Sequence, residues 1–213
     1  MRVIVEASER DGPDTKPIGR AAATAVAACG TGASTAAEVD ENVAEKIYAD
    51  ELAGSETLAD EAHIRASAQL TRALERGHEA AVRAAVHRIV YTPGWHIVRL
   101  RVLAHGHLIA DVGGPYVIAP VNGTLRSHGR EIGRFVMSVQ DDVGYVKLVS
   151  RFIGVPIEIY RSGALLMGTA RPPAPLAPSG TTVAIGVARY STRTLELRAF
   201  PTGLFDVALF CDR

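Results

Sequence analysis

The chain is poor in the residues that build the commonest chemical sites. It has 213 residues but only two cysteines, Cys29 and Cys211, one tryptophan and 6% aromatics. Two cysteines cannot form a disulfide framework, and they cannot complete a structural zinc site without histidines. Lys and Arg together number 23, as do Asp and Glu, so the net charge is zero. That balance removes the electrostatic case for binding nucleic acid or an anionic membrane surface. No apolar run reaches the roughly 18–20 residues that span a bilayer.

The familiar catalytic motifs are missing too. Gly113-Gly114-Pro115 lacks the spacing of a dinucleotide-binding turn. There is no G-x-S-x-G elbow, and neither cysteine sits in the setting of a nucleophile. His105-Gly106-His107 is the closest histidine pair, but it reads as a hairpin turn rather than a metal site. No cofactor is expected, and an enzyme is the least favoured class.

What is present is periodicity. The stretch from Gly133 to Gly154 changes period from two to 3.6. Phe135, Met137 and Val139 alternate with Val136, Ser138 and Gln140, as in a strand covered on both faces. Tyr145, Val149 and Phe152 then share a helical stripe. Asp141 or Asp142 can cap the helix start, and Gly154 can end it.

Helical spacing also runs from a capping box at Thr35–Glu38 to Gly54. It continues in a second helix from Ser55 or Thr57 to near Gly77, and in a third that ends before Pro93-Gly94. From Trp95 the period is two. Strands are expected at Trp95–Leu103, Leu108–Val112, Tyr116–Pro120, Val155–Tyr160, Ala164–Thr169, Thr182–Ala188, Thr192–Phe200 and Leu204–Cys211. Asn122-Gly123 is expected to turn, and the four prolines of residues 171–180 to form a loop. Helices segregated from strands in this order predict an α+β fold with a mostly antiparallel sheet. Residues 35–91 are its helical part and 95–213 its sheet-rich part.

Residues 1–34 read as a targeting segment or a disordered tail. Val26-Ala27-Ala28-Cys29 matches a lipobox, in which the cysteine is lipidated after cleavage before it. The residues before it are acidic, unlike a positively charged leader. A misplaced start codon would account for them.

Four runs carry a family resemblance: Trp95-His-Ile-Val-Arg-Leu-Arg-Val, Ala110-Asp-Val-Gly-Gly-Pro-Tyr-Val, Arg134-Phe-Val-Met-Ser-Val-Gln-Asp-Asp-Val-Gly-Tyr-Val-Lys-Leu and Ala199-Phe-Pro-Thr-Gly. Together they resemble the PAS-like Cache (PDC) sensor domains of actinobacteria. The resemblance covers residues 35–213. It implies an extracytoplasmic, non-catalytic sensor, with long N-terminal helices on an antiparallel sheet and a small molecule held between the sheet and its cover. It agrees with export and a lipid anchor at Cys29; without a signal the protein would be cytoplasmic.

The expected ligand site comprises Trp95, Arg99, Tyr116, Ser138, Gln140, Asp141, Asp142, Tyr145 and Lys147. Each has a plainer reading, as packing, cap or salt bridge. The arginine–tryptophan–tyrosine pattern of amino-acid-binding Cache domains is not recognisable, so an amino-acid ligand is not implied. The chain ends soon after its last strand without a signalling module, so a membrane partner or transporter is expected. A homodimer through the N-terminal helices is the competing, scaffold reading.

Overall fold

The computed structural model describes residues 36–115 and 117–212. Four helices come first: α1 (Ala36–Ala53), α2 (Ser55–Ala66), α3 (Ala68–Glu75) and α4 (Glu79–Tyr91). The expected second helix is therefore two. Ser67 adopts an extended conformation (ψ 96°) between them, and its hydroxyl accepts the Leu70 N–H at 3.3 Å. A serine that can bond an orphan N–H stabilises a new helix start at a modest energetic cost.

The antiparallel strands divide between two sheets and a small ribbon. The first sheet contains β1 (Arg99–Ala104), β2 (His107–Gly113), β4 (Val121–Ser127) and β5 (Arg130–Ser138), in the order β2-β1-β5-β4. Helices α2, α3 and α4 cover one of its faces. Leu100, Val102, Phe135 and Met137 are buried there against Ile64, Leu70, Val82, Val86 and Ile89.

The first strand begins four residues later than its period suggests. Trp95 stacks on His63, with ring centroids 3.7 Å apart, and Asp60 accepts the His96 N–H at 3.1 Å. Those two contacts hold residues 95 and 96 against α2.

Asn122-Gly123 lies inside β4 and does not turn. Gly123 faces Phe135 across the sheet, and a Cβ there would stand 2.1 Å from the ring. The glycine makes room for an aromatic rather than for a turn. The reversal comes at His128-Gly129 (φ 48° and 78°), matched by His105-Gly106 (51° and 79°) and Ser162-Gly163 (52° and 78°). Two consecutive positive φ values form the tight hairpin whose twist suits antiparallel strands.

The second sheet has the order β8-β7-β11-β10-β9. Its strands are β7 (Ile157–Arg161), β8 (Ala164–Gly168), β9 (Thr182–Ile185), β10 (Ala188–Arg198) and β11 (Leu204–Asp212). Helices α1 and α5 (Asp142–Ile153) bury Ala44, Tyr48, Tyr145, Val146 and Val149 against Ile157, Ile159, Leu195, Phe205, Val207 and Leu209. The opposite face is covered by residues 170–177. Phe152 leaves the expected stripe and is 68% exposed, because Ile153, four residues beyond Val149, continues the buried row.

The strand expected to run directly into α5 is interrupted. β5 ends at Ser138, and Gln140–Asp141 form β6, which pairs with β3 (Val117–Ile118) as a two-stranded ribbon. Ile118 in turn bridges to Ala199. This ribbon places the candidate site where the two cores meet.

Candidate functional site

Five of the expected residues do come together at this junction. Ser138 is fully buried, and its hydroxyl donates to the Ile118 carbonyl. The same oxygen accepts the Gln140 N–H at 3.2 Å, so the end of β5 is folded back onto β6. Gln140 reaches α1, its Nε2 donating to Glu51 Oε1 at 3.1 Å. Asp141 is the N-cap of α5 and accepts the Gly144 N–H at 2.6 Å. A Cβ at Gly144 would stand 2.2 Å from Gln140 Oε1, so a side chain there would displace the Gln140 amide. Tyr145 is fully buried and donates to the Ala44 carbonyl at 3.0 Å, with its ring edge-on to Tyr48. Tyr48 donates to the Arg198 carbonyl at 3.1 Å.

Electrostatically the junction is short of charge partners. Burial pushes the Asp142 carboxyl above the usual carboxylate range, and neighbouring Asp141 adds to the effect. Glu51 is raised for the same first reason, against the bond from Gln140. Burial also pushes Tyr145 far above an ordinary phenol. In each case burial disfavours the charged form of the group.

The other expected residues lie apart from this junction or are committed elsewhere. Lys147 is exposed on α5 and forms no ion pair with Asp141 or Asp142. Its place on the helix surface follows from the same period that buries Tyr145 and Val149. Arg99 is the register partner of Ser138, yet its guanidinium grips Asp111 with two of its nitrogens, Nε and Nη2, at 2.8 and 3.0 Å. It also donates to the Gly114 carbonyl and lies over the Phe200 ring. Arg101 is 3.6 Å from the same carboxylate, too long for a hydrogen bond. Trp95 is the stacking partner of His63. Tyr116 and the lipobox residue Cys29 lie outside the described residues. The arrangement is a set of interlocked polar contacts rather than an open pocket.

Open space lies elsewhere. A cavity of about 210 Å³ sits between the α3–α4 turn and the β1–β2 hairpin, lined by Leu74, Gly77, Glu79, Val82, Ala104, His105, His107 and Ile109. Its floor is aliphatic and its rim carries two imidazoles and a carboxylate, the mixture that holds a small amphipathic molecule. His105 also borders a neighbouring cleft with Glu131 and Arg134. The His105-Gly106-His107 turn was visible in the sequence. Its partnership with Glu79 and Leu74 was not, because the α3–α4 turn meets this hairpin only through tertiary packing.

Among the described residues, no group of three or more His, Cys, Asp or Glu side chains stands close enough to hold a metal ion. None of the described helices is long and apolar enough to cross a membrane. Cys211 is buried, and burial with Asp40 nearby pushes its thiol up to about 11.

No family model matches the chain, and no curated protein matches it. In structure it is similar to the periplasmic domain of Vibrio cholerae LuxQ, with a TM-score of 0.57 and 8% sequence identity. The likeness covers 84% of this chain and 100% of that one. At this identity it is a likeness of fold. The chain has an α+β, PAS-like fold, with helices packed on antiparallel sheets.

Proposed function

We propose that this chain is an extracytoplasmic sensor domain that binds a small molecule without turning it over and reports through a partner protein. The observation that carries the reading is the fold it shares with an entire periplasmic domain. The ligand occupies the cavity between the α3–α4 turn and the β1–β2 hairpin, its apolar part against Leu74, Val82 and Ile109 and its polar part toward Glu79, His105 and His107.

Ser138, Gln140, Asp141, Asp142 and Tyr145 serve this reading as a coupler. They lock β5 to α5 and α1, so a change in the first sheet reaches the helices of the second. Trp95 and Arg99 brace the start of β1. Lipid attachment at Cys29 would hold the domain outside the cytoplasmic membrane. Palmitate labelling that disappears in Cys29→Ser tests the anchor, and a cytosolic, unprocessed protein contradicts it. An actinobacterial type is supported by the four quoted sequence runs alone.

The test of binding is a thermal-shift screen with small acids, amines and nucleobases. A ligand that raises Tm in the native chain should lose its effect in Ile109→Phe, which fills the cavity, and in His107→Ala.

A scaffold reading has one observation in its favour. Phe152 is 68% and Val39 49% exposed, and a groove lined by Val43, Ile47, Leu148 and Phe152 runs between α1 and α5. If that face pairs two copies, Phe152→Asp should convert a dimer to a monomer in light scattering.

A further inference from the structure

We infer that the face of the second sheet beneath residues 170–177 is a second ligand site, closed in this structure by the chain's own Ala174, and that its ligand is a short peptide-like amide.

Glu158 on β7 is fully buried, and Tyr160 beside it is 2% exposed. The Ala174 N–H donates to both oxygens of Glu158, at 3.1 Å each. The Tyr160 hydroxyl contacts Glu158 Oε2 and stands 2.5 Å from the Ala174 carbonyl. One carboxylate and one hydroxyl thus read the N–H and the C=O of a single residue, which is how a site recognises an amide.

The set is also one donor short. The Tyr160 hydroxyl has one proton and two acceptor neighbours. None of the ion pairs among the described residues reaches Glu158. A ligand bearing a second N–H supplies the missing donor.

A further buried group on the same face lacks a partner. Thr192 on β10 is fully buried, pairs across the sheet with Phe210, and its Oγ1 has no hydrogen-bond partner. Buried polar atoms are rarely left unpaired. Between Glu158 and Thr192 lie the apolar surfaces of Ala208 and Phe210, which suit the body of a ligand with polar ends.

The cover is built to lift. It brings Ala170, Ala174, Leu176 and Ala177 onto the sheet, and three of these four side chains are single methyl groups. Pro172, Pro173 and Pro175 have no N–H to donate. From residue 172 to 176 the hydrogen bonds to the sheet come from Ala174. Beyond that point Thr194 and Thr192 hold Ala177, Ser179 and Gly180 to β10. Opening about residue 177 therefore breaks the Ala174 contacts and no ladder bond. This site lies on a different sheet from the cavity beneath the β1–β2 hairpin and stands or falls separately from it.

Ala174→Pro in the full chain removes the N–H that Glu158 accepts. The probe is acetyl-prolyl-alanyl-proline amide, which reproduces Pro173, Ala174 and Pro175. An opened cover raises the fraction of competent molecules, so apparent Kd should fall about tenfold or more relative to the native chain. The gain should be lost when Glu158→Gln is added. Amide signals of Glu158, Tyr160 and Thr192 should shift on titration.

If the Arg171, Leu176 and Ala177 amides exchange freely in Ala174→Pro yet the probe binds no tighter, Glu158 is only a loop anchor and the proposal is overturned. The same holds if Glu158→Gln leaves binding unchanged. Should Ala174→Pro fail to fold, the native chain keeps both the Glu158 carboxylate and the Tyr160 hydroxyl. In it the probe must accelerate exchange of the Ala174 amide in a saturable way, and no acceleration overturns the proposal equally.

Discussion

The Tyr145 hydroxyl donates to the Ala44 carbonyl at 3.0 Å, joining α5 to α1 across 101 positions of sequence. Both residues are fully buried, so water cannot replace the bond. Tyr145→Phe deletes the hydroxyl and keeps the ring against Tyr48. The expected loss is about 1–2 kcal/mol in urea unfolding, with m unchanged. A variant as stable as the native chain would mean that packing alone seats α5.

Gly123 and Phe135 are opposed across β4 and β5, with no space for a Cβ between them. Gly123→Ala should cost about 1–3 kcal/mol through overpacking. Adding Phe135→Leu should return part of that loss, because the smaller side chain vacates the space. Strictly additive losses in a double-mutant cycle would contradict the contact.

These two pairs also show where sequence reading stops. Helix α4 follows its apolar period closely, α1 and α5 follow theirs except at Val39 and Phe152, and the Asp141 cap and the Gly154 terminus are local features that the sequence carries in full. Asn122-Gly123 misled because its turn preference is local, while the glycine answers to a ring twelve positions away. The residues around Ser138–Tyr145 do gather at one place. Whether they face a void or one another was decided by Ala44, Glu51 and Ile118, which no local period connects to them. The cavity joins α3, α4 and the β1–β2 hairpin, and only the assembled sheet brings those together.

Asp142 supplies a pH dependence with a definite sign. Burial raises its folded-state pKa, so the folded chain binds more protons than the unfolded chain between the two values. Its contribution to stability therefore falls as pH rises from about 4 through the raised folded value. Asp142→Asn removes that loss. The Tm of the variant minus that of the native chain should grow more positive across this window and level off above it. Parallel Tm profiles would contradict the assignment.

Cys211 should be nearly inert in the folded state. Its buried thiol is raised to about 11, so little thiolate exists at pH 8. In a Cys29→Ser chain, iodoacetamide labelling at pH 8 should proceed at the rate of unfolding and become fast in urea. Rapid labelling without urea would show that β11 opens locally.

The sensor reading is tested most directly by isothermal titration of the best thermal-shift ligand into the native chain and into Ile109→Phe. The account predicts one saturable site in the native chain and an apparent Kd at least tenfold weaker when the cavity is filled, about 1.4 kcal/mol or more. Equal affinity in a folded Ile109→Phe chain would contradict binding beneath the β1–β2 hairpin.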